Sequence, residues 1–165
     1  MQTSRHPRTL ARLGLRLLTG LLCMLAGAMA LGYITASPAR ADTVGVNTFT
    51  WHDRDRPDGL RYEWFTPGVY YRADSGLTVG TLRNSYRRIG VYGAWTTSTD
   101  ESRPLSAALT LGLTTGYDIA PVVPLIVPSV ALRLSPQLAG RVLLMPKVHA
   151  KQHASAVSLA LEWSL

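Results

Sequence analysis

The chain has 165 residues and a formal net charge of +7 at pH 7. Five of its 17 cationic side chains (Arg5, Arg8, Arg12, Arg16 and Arg40) fall in residues 1–41, which hold none of its 10 acids. The excess charge therefore belongs to the N-terminal segment and is poor evidence for a nucleic-acid partner. The single cysteine, Cys23, lies there too, so the rest of the chain is excluded from disulfide and thiolate chemistry.

Residues 1–41 read as a secretory signal peptide. A cationic stretch, "RHPRTLARLGLR", precedes an apolar run from Leu17 to Leu31. "ITASPARAD" then supplies Ala39 and Ala41 as the small residues of a cleavage site, with the cut expected after Ala41. An uncleaved anchor helix is the alternative, and the apolar run is short for one. Leu22 precedes Cys23 where a lipoprotein site wants a small residue, so Cys23 reads as an apolar residue that is removed. Residues 42–165 remain, enough for one domain.

In that domain no segment has helical periodicity; residues alternate instead between turn signals. Strands are expected near 44–53, 60–72, 77–85, 89–98, 105–115, 121–134, 141–147 and 154–165. The connections include "ADSG" (73–76), "STDESRP" (98–104), "GYD" (116–118), "SPQLAG" (135–140) and "KVHAKQH" (147–153). The last strand has the clearest faces. Val157, Leu159, Leu161, Trp163 and Leu165 fall on one, and Ala156, Ser158, Ala160, Glu162 and Ser164 on the other. A soluble sandwich buries the large set, whereas a membrane barrel turns it to lipid and keeps the small and polar set in the lumen. Alternation alone leaves both open. The leader, the cysteine-free domain and the apolar stripe running to Leu165 favour the second. The expectation is all-β, an eight-stranded antiparallel up-and-down outer-membrane β-barrel, monomeric, with room inside for side chains or one narrow ligand. A soluble periplasmic β-sandwich is the alternative.

Proline interrupts this pattern at Pro121, Pro124 and Pro128 in the sixth strand and at Pro146 after the seventh. Proline cannot donate to a ladder, so the reading is either a bulged strand end or a gap in the barrel wall that admits a lipid chain sideways.

With both termini periplasmic, strands one, three, five and seven end on the extracellular side. That gathers His52, the Asn84–Ser85 pair, Tyr117 with Asp118, and Lys147, His149, Lys151 and His153 at one rim. His52 beside Ser85 has the makings of a base and a hydroxyl, a weak signal alone. His149 and His153 read as solvated loop residues, because zinc wants three or four ligands. Arg83, Arg87 and Arg88 read either as phosphate-binding at the outer leaflet or as a solvated loop.

The order "TWH", "LRNSYRR…GVYGAW", "LGLTTGYDIAPVVPLIVPSVAL", "LLMP" and "ALEWSL", over most of residues 48–165, resembles the lipid A palmitoyltransferase family, PagP. The resemblance implies an outer-membrane barrel that holds an acyl chain in its lumen. Such a barrel moves palmitoyl from a phospholipid to lipid A or to a phospholipid acceptor, so its partners are membrane lipids and it needs no cofactor or metal. By position, His52 matches the catalytic histidine and Ser85 the catalytic serine. Pro124 or Pro128, with Pro146, would flank a lateral opening. His52 is then the general base, Ser85 and Asn84 donate to the oxyanion, and Arg83, Arg87 and Arg88 hold phosphate; Ser85 as covalent nucleophile is the alternative. Asn84 stands where the family has an aspartate, leaving Asp53 or Asp55 as substitutes, and residues 42–50 leave no room for the family's helix before the first strand. Gly93 and Ala94 are candidates for the pocket floor. The rival reading is a non-catalytic barrel, either lipid-binding or structural.

Overall fold

The computed structural model describes residues 41–56, 58–118, 120–147 and 154–165. The expected leader lies outside these residues up to Arg40, and so do His149, Lys151 and His153. The strands are β1 (Thr43–His52), β2 (Phe65–Arg72), β3 (Leu77–Arg83), β4 (Ile89–Ser98), β5 (Leu105–Thr114), β6 (Val123–Arg133), β7 (Leu138–Met145) and β8 (Ala156–Ser164). Each pairs antiparallel with its sequence neighbour and β8 returns to β1, which closes an eight-stranded barrel. Most boundaries fall within two residues of the sequence reading, and three differences bear on the architecture. Residues 60–64 form an arch over the rim rather than the start of β2. Residues 84 and 85 belong to a turn. β7 starts at Leu138 instead of 141, because Leu134 N–H donates to Leu138 O (2.8 Å) and closes the turn early.

The burial pattern resolves which face is which. Ala156, Ser158, Ala160 and Glu162 of β8 are buried, while Leu161 and Trp163 are exposed. Val44, Val46, Val69, Val79, Val91 and Leu113 likewise point outward from their strands. A water-soluble sandwich would reverse this arrangement, and an exterior this apolar suits contact with lipid. Gly93, a candidate for the pocket floor, is on the exposed face, whereas Ala94 points inward.

β1 departs from strict alternation at one place. Asn47 and Thr50 are both buried, and the register with both β2 and β8 slips between Asn47 and Phe49. Thr48 is the extra residue of a β-bulge, and its hydroxyl donates to Leu159 O at 3.2 Å. Beyond the bulge the phase is inverted. Trp51 pairs with outward Val157, and His52 pairs with inward Ala156. Strict alternation from Thr43, with no bulge to absorb Thr48, would turn His52 outward. Outside, Phe49 stacks on Trp64 at 5.1 Å between centroids and lies 5.8 Å from Phe65, an aromatic cluster at one end of the barrel.

The opposite end of the lumen is filled by charge. Arg141 Nε forms an ion pair with Glu162 Oε1 at 2.8 Å, and its Nη1 donates to Ser129 Oγ at 3.0 Å. Glu101 enters from the β4–β5 turn and bridges Arg72 (3.0 Å) and Arg141 (3.2 Å). Tyr70 donates to Glu162 at 2.5 Å. Two guanidinium groups and two carboxylates thus compensate one another where water is scarce. Tyr70 reaches across because β1 has glycine opposite it: a Cβ on Gly45 would collide with the Tyr70 ring.

The β6–β7 seam leaves the longest run of strand residues, Val123–Pro128, without a partner across it. β6 pairs with β5 along its length, through Pro124↔Leu113 and Pro128↔Leu109. Its ladder with β7 covers Ser129–Arg133 and stops beside Pro128. Above that rung, Leu144 and Met145 of β7 pair with β8 and have no partner on β6. Pro146 follows directly.

Two substitutions test this packing. Glu162→Ala leaves Arg72 and Arg141 short of a buried partner and is expected to destabilise the folded barrel by about 3–5 kcal/mol. Gly45→Ala overpacks the Tyr70 contact and is expected to cost about 1–3 kcal/mol. Equilibrium urea unfolding in detergent measures both; midpoints equal to wild type would mean that neither contact bears on stability.

Candidate functional site

A cavity of about 420 Å³ runs down the lumen from His52, Ser85 and Tyr117 at the mouth to Tyr70 and Arg141 at the floor. Its wall is divided. Val123, Val127, Leu143 and Met145 line the side next to the β6–β7 seam. Hydroxyls line much of the rest, but they are spent on one another. Thr50 Oγ1 is 2.6 Å from Thr66 Oγ1 and donates to Ser158 Oγ at 3.1 Å, and Thr96 Oγ1 is 2.9 Å from both Thr78 Oγ1 and Thr110 Oγ1. Hydroxyls paired within the wall do not demand partners from a guest, so an apolar guest costs less here than the composition suggests.

At the mouth, Ser85 Oγ lies 3.1 Å from His52 Nε2. If the serine hydroxyl donates, Nε2 is bare and the imidazole proton sits on Nδ1, the tautomer a general base at Nε2 requires. The two residues are 33 positions apart in sequence and meet because the Thr48 bulge turns His52 inward as the β3–β4 loop leans over the lumen.

Asn84 is buried, and its amide is committed to that loop. Oδ1 accepts from Tyr86 N–H and Arg88 N–H, both at 3.0 Å, and Nδ2 donates to Gly116 O at 2.7 Å. The first pair folds the turn, which places Arg87 in the left-handed region at φ 65°. The Gly116 bond ties the turn to the β5–β6 connection. No hydrogen bond joins Asn84 to His52 among the described residues; its amide builds the loop, and it lines the cavity beside Ser85. Asp53, a candidate to replace the missing carboxylate, accepts from Ser155 N–H at 2.9 Å and so fastens β1 to β8; Asp55 is exposed.

The arginines divide. Arg83 ends β3 on the exposed face with no ion pair among the described residues. Arg87 pairs with Glu63 at 3.2 Å and Arg88 with Asp118 at 2.7 Å. Both arginines are well exposed, so each pair is worth about 0–1 kcal/mol and yields readily to a competing anion. Pro124 lines the cavity at the seam, Pro128 sits next to the last β6–β7 rung, and Pro146 follows β7.

Three tyrosines and an arginine complete the mouth. The Tyr62 ring stacks on His52 at 3.9 Å and 13°. Tyr86 meets Tyr62 edge-on at 5.5 Å, and Tyr117 meets Tyr86 at 6.3 Å. Arg56 lies 4.9 Å above Tyr86 while its guanidinium is forked onto Asp58. Burial raises the phenols of Tyr62 and Tyr117 above their usual range, so both remain neutral at physiological pH. The sequence does not single out Tyr62 or Arg56 as site residues, because Tyr62 alternates like a strand residue and loop paths carry no periodic signal.

Asn84→Asp tests the loop assignment. The carboxylate would still accept from Tyr86 and Arg88 but would face the Gly116 carbonyl without a proton to give. The expected loss is about 1–3 kcal/mol, the cost of a buried acceptor left unpaired, read as a lower unfolding midpoint in detergent. An unchanged midpoint would show that the Gly116 tether adds nothing.

No family model matches the sequence, and no curated protein does. Among solved structures the chain is similar to the de novo designed TMB2.3, determined by solution NMR, with a TM-score of 0.53 and 16% identity. The alignment covers 76% of this chain and 94% of that one, a likeness of fold alone.

Proposed function

We propose that this protein is an outer-membrane acyltransferase. It would move a fatty acyl chain, palmitoyl in the family its sequence resembles, from a phospholipid to lipid A or a related lipid acceptor. The observation that carries the reading is the 3.1 Å approach of Ser85 Oγ to His52 Nε2 at the mouth of a lumen cavity. The apolar exterior supports a membrane setting, and the secretory leader expected in residues 1–41 accords with export to the outer membrane.

In this mechanism the acyl chain of the donor lies in the lumen along the Val123–Val127 side, entering through the β6–β7 seam. His52 Nε2 takes the proton of the acceptor hydroxyl, whose oxygen attacks the ester carbonyl carbon. The tetrahedral oxyanion receives a hydrogen bond from Ser85 and collapses. The carbon–oxygen bond to the donor glycerol breaks, and the departing alkoxide takes the proton back from His52. If Ser85 is instead the nucleophile, His52 takes its hydroxyl proton and an acyl-serine precedes transfer. Arg83, Arg87 and Arg88 hold lipid phosphates at the rim. Asn84 keeps Ser85 in place through the turn.

One observation favours the second reading, a barrel that binds lipid without turning it over. No carboxylate is hydrogen-bonded to His52 among the described residues.

Refolded barrels in detergent, given labelled palmitoyl phospholipid and lipid A, separate the two. Wild type is expected to transfer label, His52→Ala to lose about 10²–10⁴-fold, and Ser85→Ala to fall comparably. Acid-stable label on wild type but not on Ser85→Ala marks the covalent route. Because the base must be neutral, transfer is expected to decline as pH falls through the His52 titration. A folded wild type that transfers nothing from a range of donors yet retains the labelled phospholipid establishes the second reading.

A further inference from the structure

We propose that Tyr62 is the positioning residue for His52, fixing the plane of its imidazole by ring stacking in place of a carboxylate hydrogen bond. For its part in turnover, this rests on the acyltransfer reading above; for its part in orienting the ring, it does not.

Four observations converge. The stack is close and nearly parallel, 3.9 Å between centroids at 13°. Asp53 and Asn84 are engaged elsewhere: Asp53 with Ser155 N–H, and Asn84 with Gly116 and its own turn. Tyr62 is itself braced, edge-on against Tyr86 with the two hydroxyls 3.4 Å apart. The next residue, Glu63, donates its backbone N–H to Ser85 O at 3.0 Å. Consecutive residues of one arch therefore hold both members of the pair, Tyr62 through the imidazole plane and Glu63 through the serine backbone.

The division of labour is physically definite. A stack sets the plane of an imidazole but tolerates either of its two flipped orientations. The Ser85 hydroxyl then selects the flip that presents Nε2. An electron-rich phenol face also attracts the imidazolium formed on proton transfer, a weaker version of what a carboxylate provides. Once the plane is lost, the Ser85 bond has no fixed target.

Tyr62→Phe and Tyr62→Leu distinguish this from a merely structural role. The readouts are the His52 tautomer by ¹⁵N NMR of the detergent-folded barrel, and kcat and KM of acyl transfer across pH. Tyr62→Phe keeps the ring and is expected to match wild type in both. Tyr62→Leu, folded by circular dichroism, is expected to exchange a single Nδ1-protonated tautomer for a mixture. Its kcat should fall by about 10²-fold, the scale of a misplaced catalytic group, with KM unchanged. Tyr62→Leu with the wild-type tautomer and wild-type kcat would overturn the proposal. So would a Tyr62→Phe variant as impaired as Tyr62→Leu, since the hydroxyl rather than the stack would then be responsible. If wild type transfers nothing, the acyltransferase reading fails and the tautomer of Tyr62→Leu alone decides the role of Tyr62.

Discussion

The structure depends on phase. A closed antiparallel barrel gives each strand residue one of two environments, and the choice repeats every second position, so one residue of slip reverses everything that follows. β1 contains one such slip, at Thr48. Before it, Thr43, Gly45 and Asn47 face the lumen; after it, Thr50 and His52 do. The same extra residue that brings His52 to Ser85 sends Trp51 outward near Phe49, at 6.1 Å between centroids, so the histidine position and the outer aromatic cluster are settled together.

The lumen is organised as a gradient of polarity along its axis. Four charged side chains close one end, held by each other and by Tyr70 and Ser129. Above them the wall is hydroxyl on one side and hydrocarbon on the other. Charge at the floor and apolar surface beside the seam give the cavity direction. A guest with an apolar chain gains by lying along Val123, Val127, Leu143 and Met145 and loses by reaching Arg141. The glycine at position 45 belongs to the same design, since the Tyr70 ring occupies the space a side chain there would need.

The sequence made the strand count and the closure legible, because period-two alternation and turn residues are local signals that survive without a structure. It also put His52 and Ser85 at the same rim, since strand parity fixes which ends are up. It left open which face of β8 meets the lumen, for Leu161 and Glu162 read equally well in a sandwich or a barrel; only closure decides. The arch at 60–64 read as strand because Leu60, Tyr62 and Trp64 alternate with polar residues, although no neighbouring strand takes them up. Nothing local reveals that the Asn84 amide reaches Gly116 across the rim. The stack of Tyr62 on His52 joins two segments whose approach is set by that arch, and it leaves no periodic trace.

The seam between β6 and β7 has a mechanical meaning. A cylinder hydrogen-bonded evenly all round can widen only by breaking ladders everywhere, which amounts to unfolding. This one is laced least far between β6 and β7, along only the lower half of that seam, while β6 stays anchored to β5 and β7 to β8 up to their ends. Its softest deformation is therefore a local parting of two edges, with an energy well below that of global unfolding. The barrel can change its girth near the mouth and keep its floor rigid, so compliance and stability are assigned to opposite ends of the same sheet.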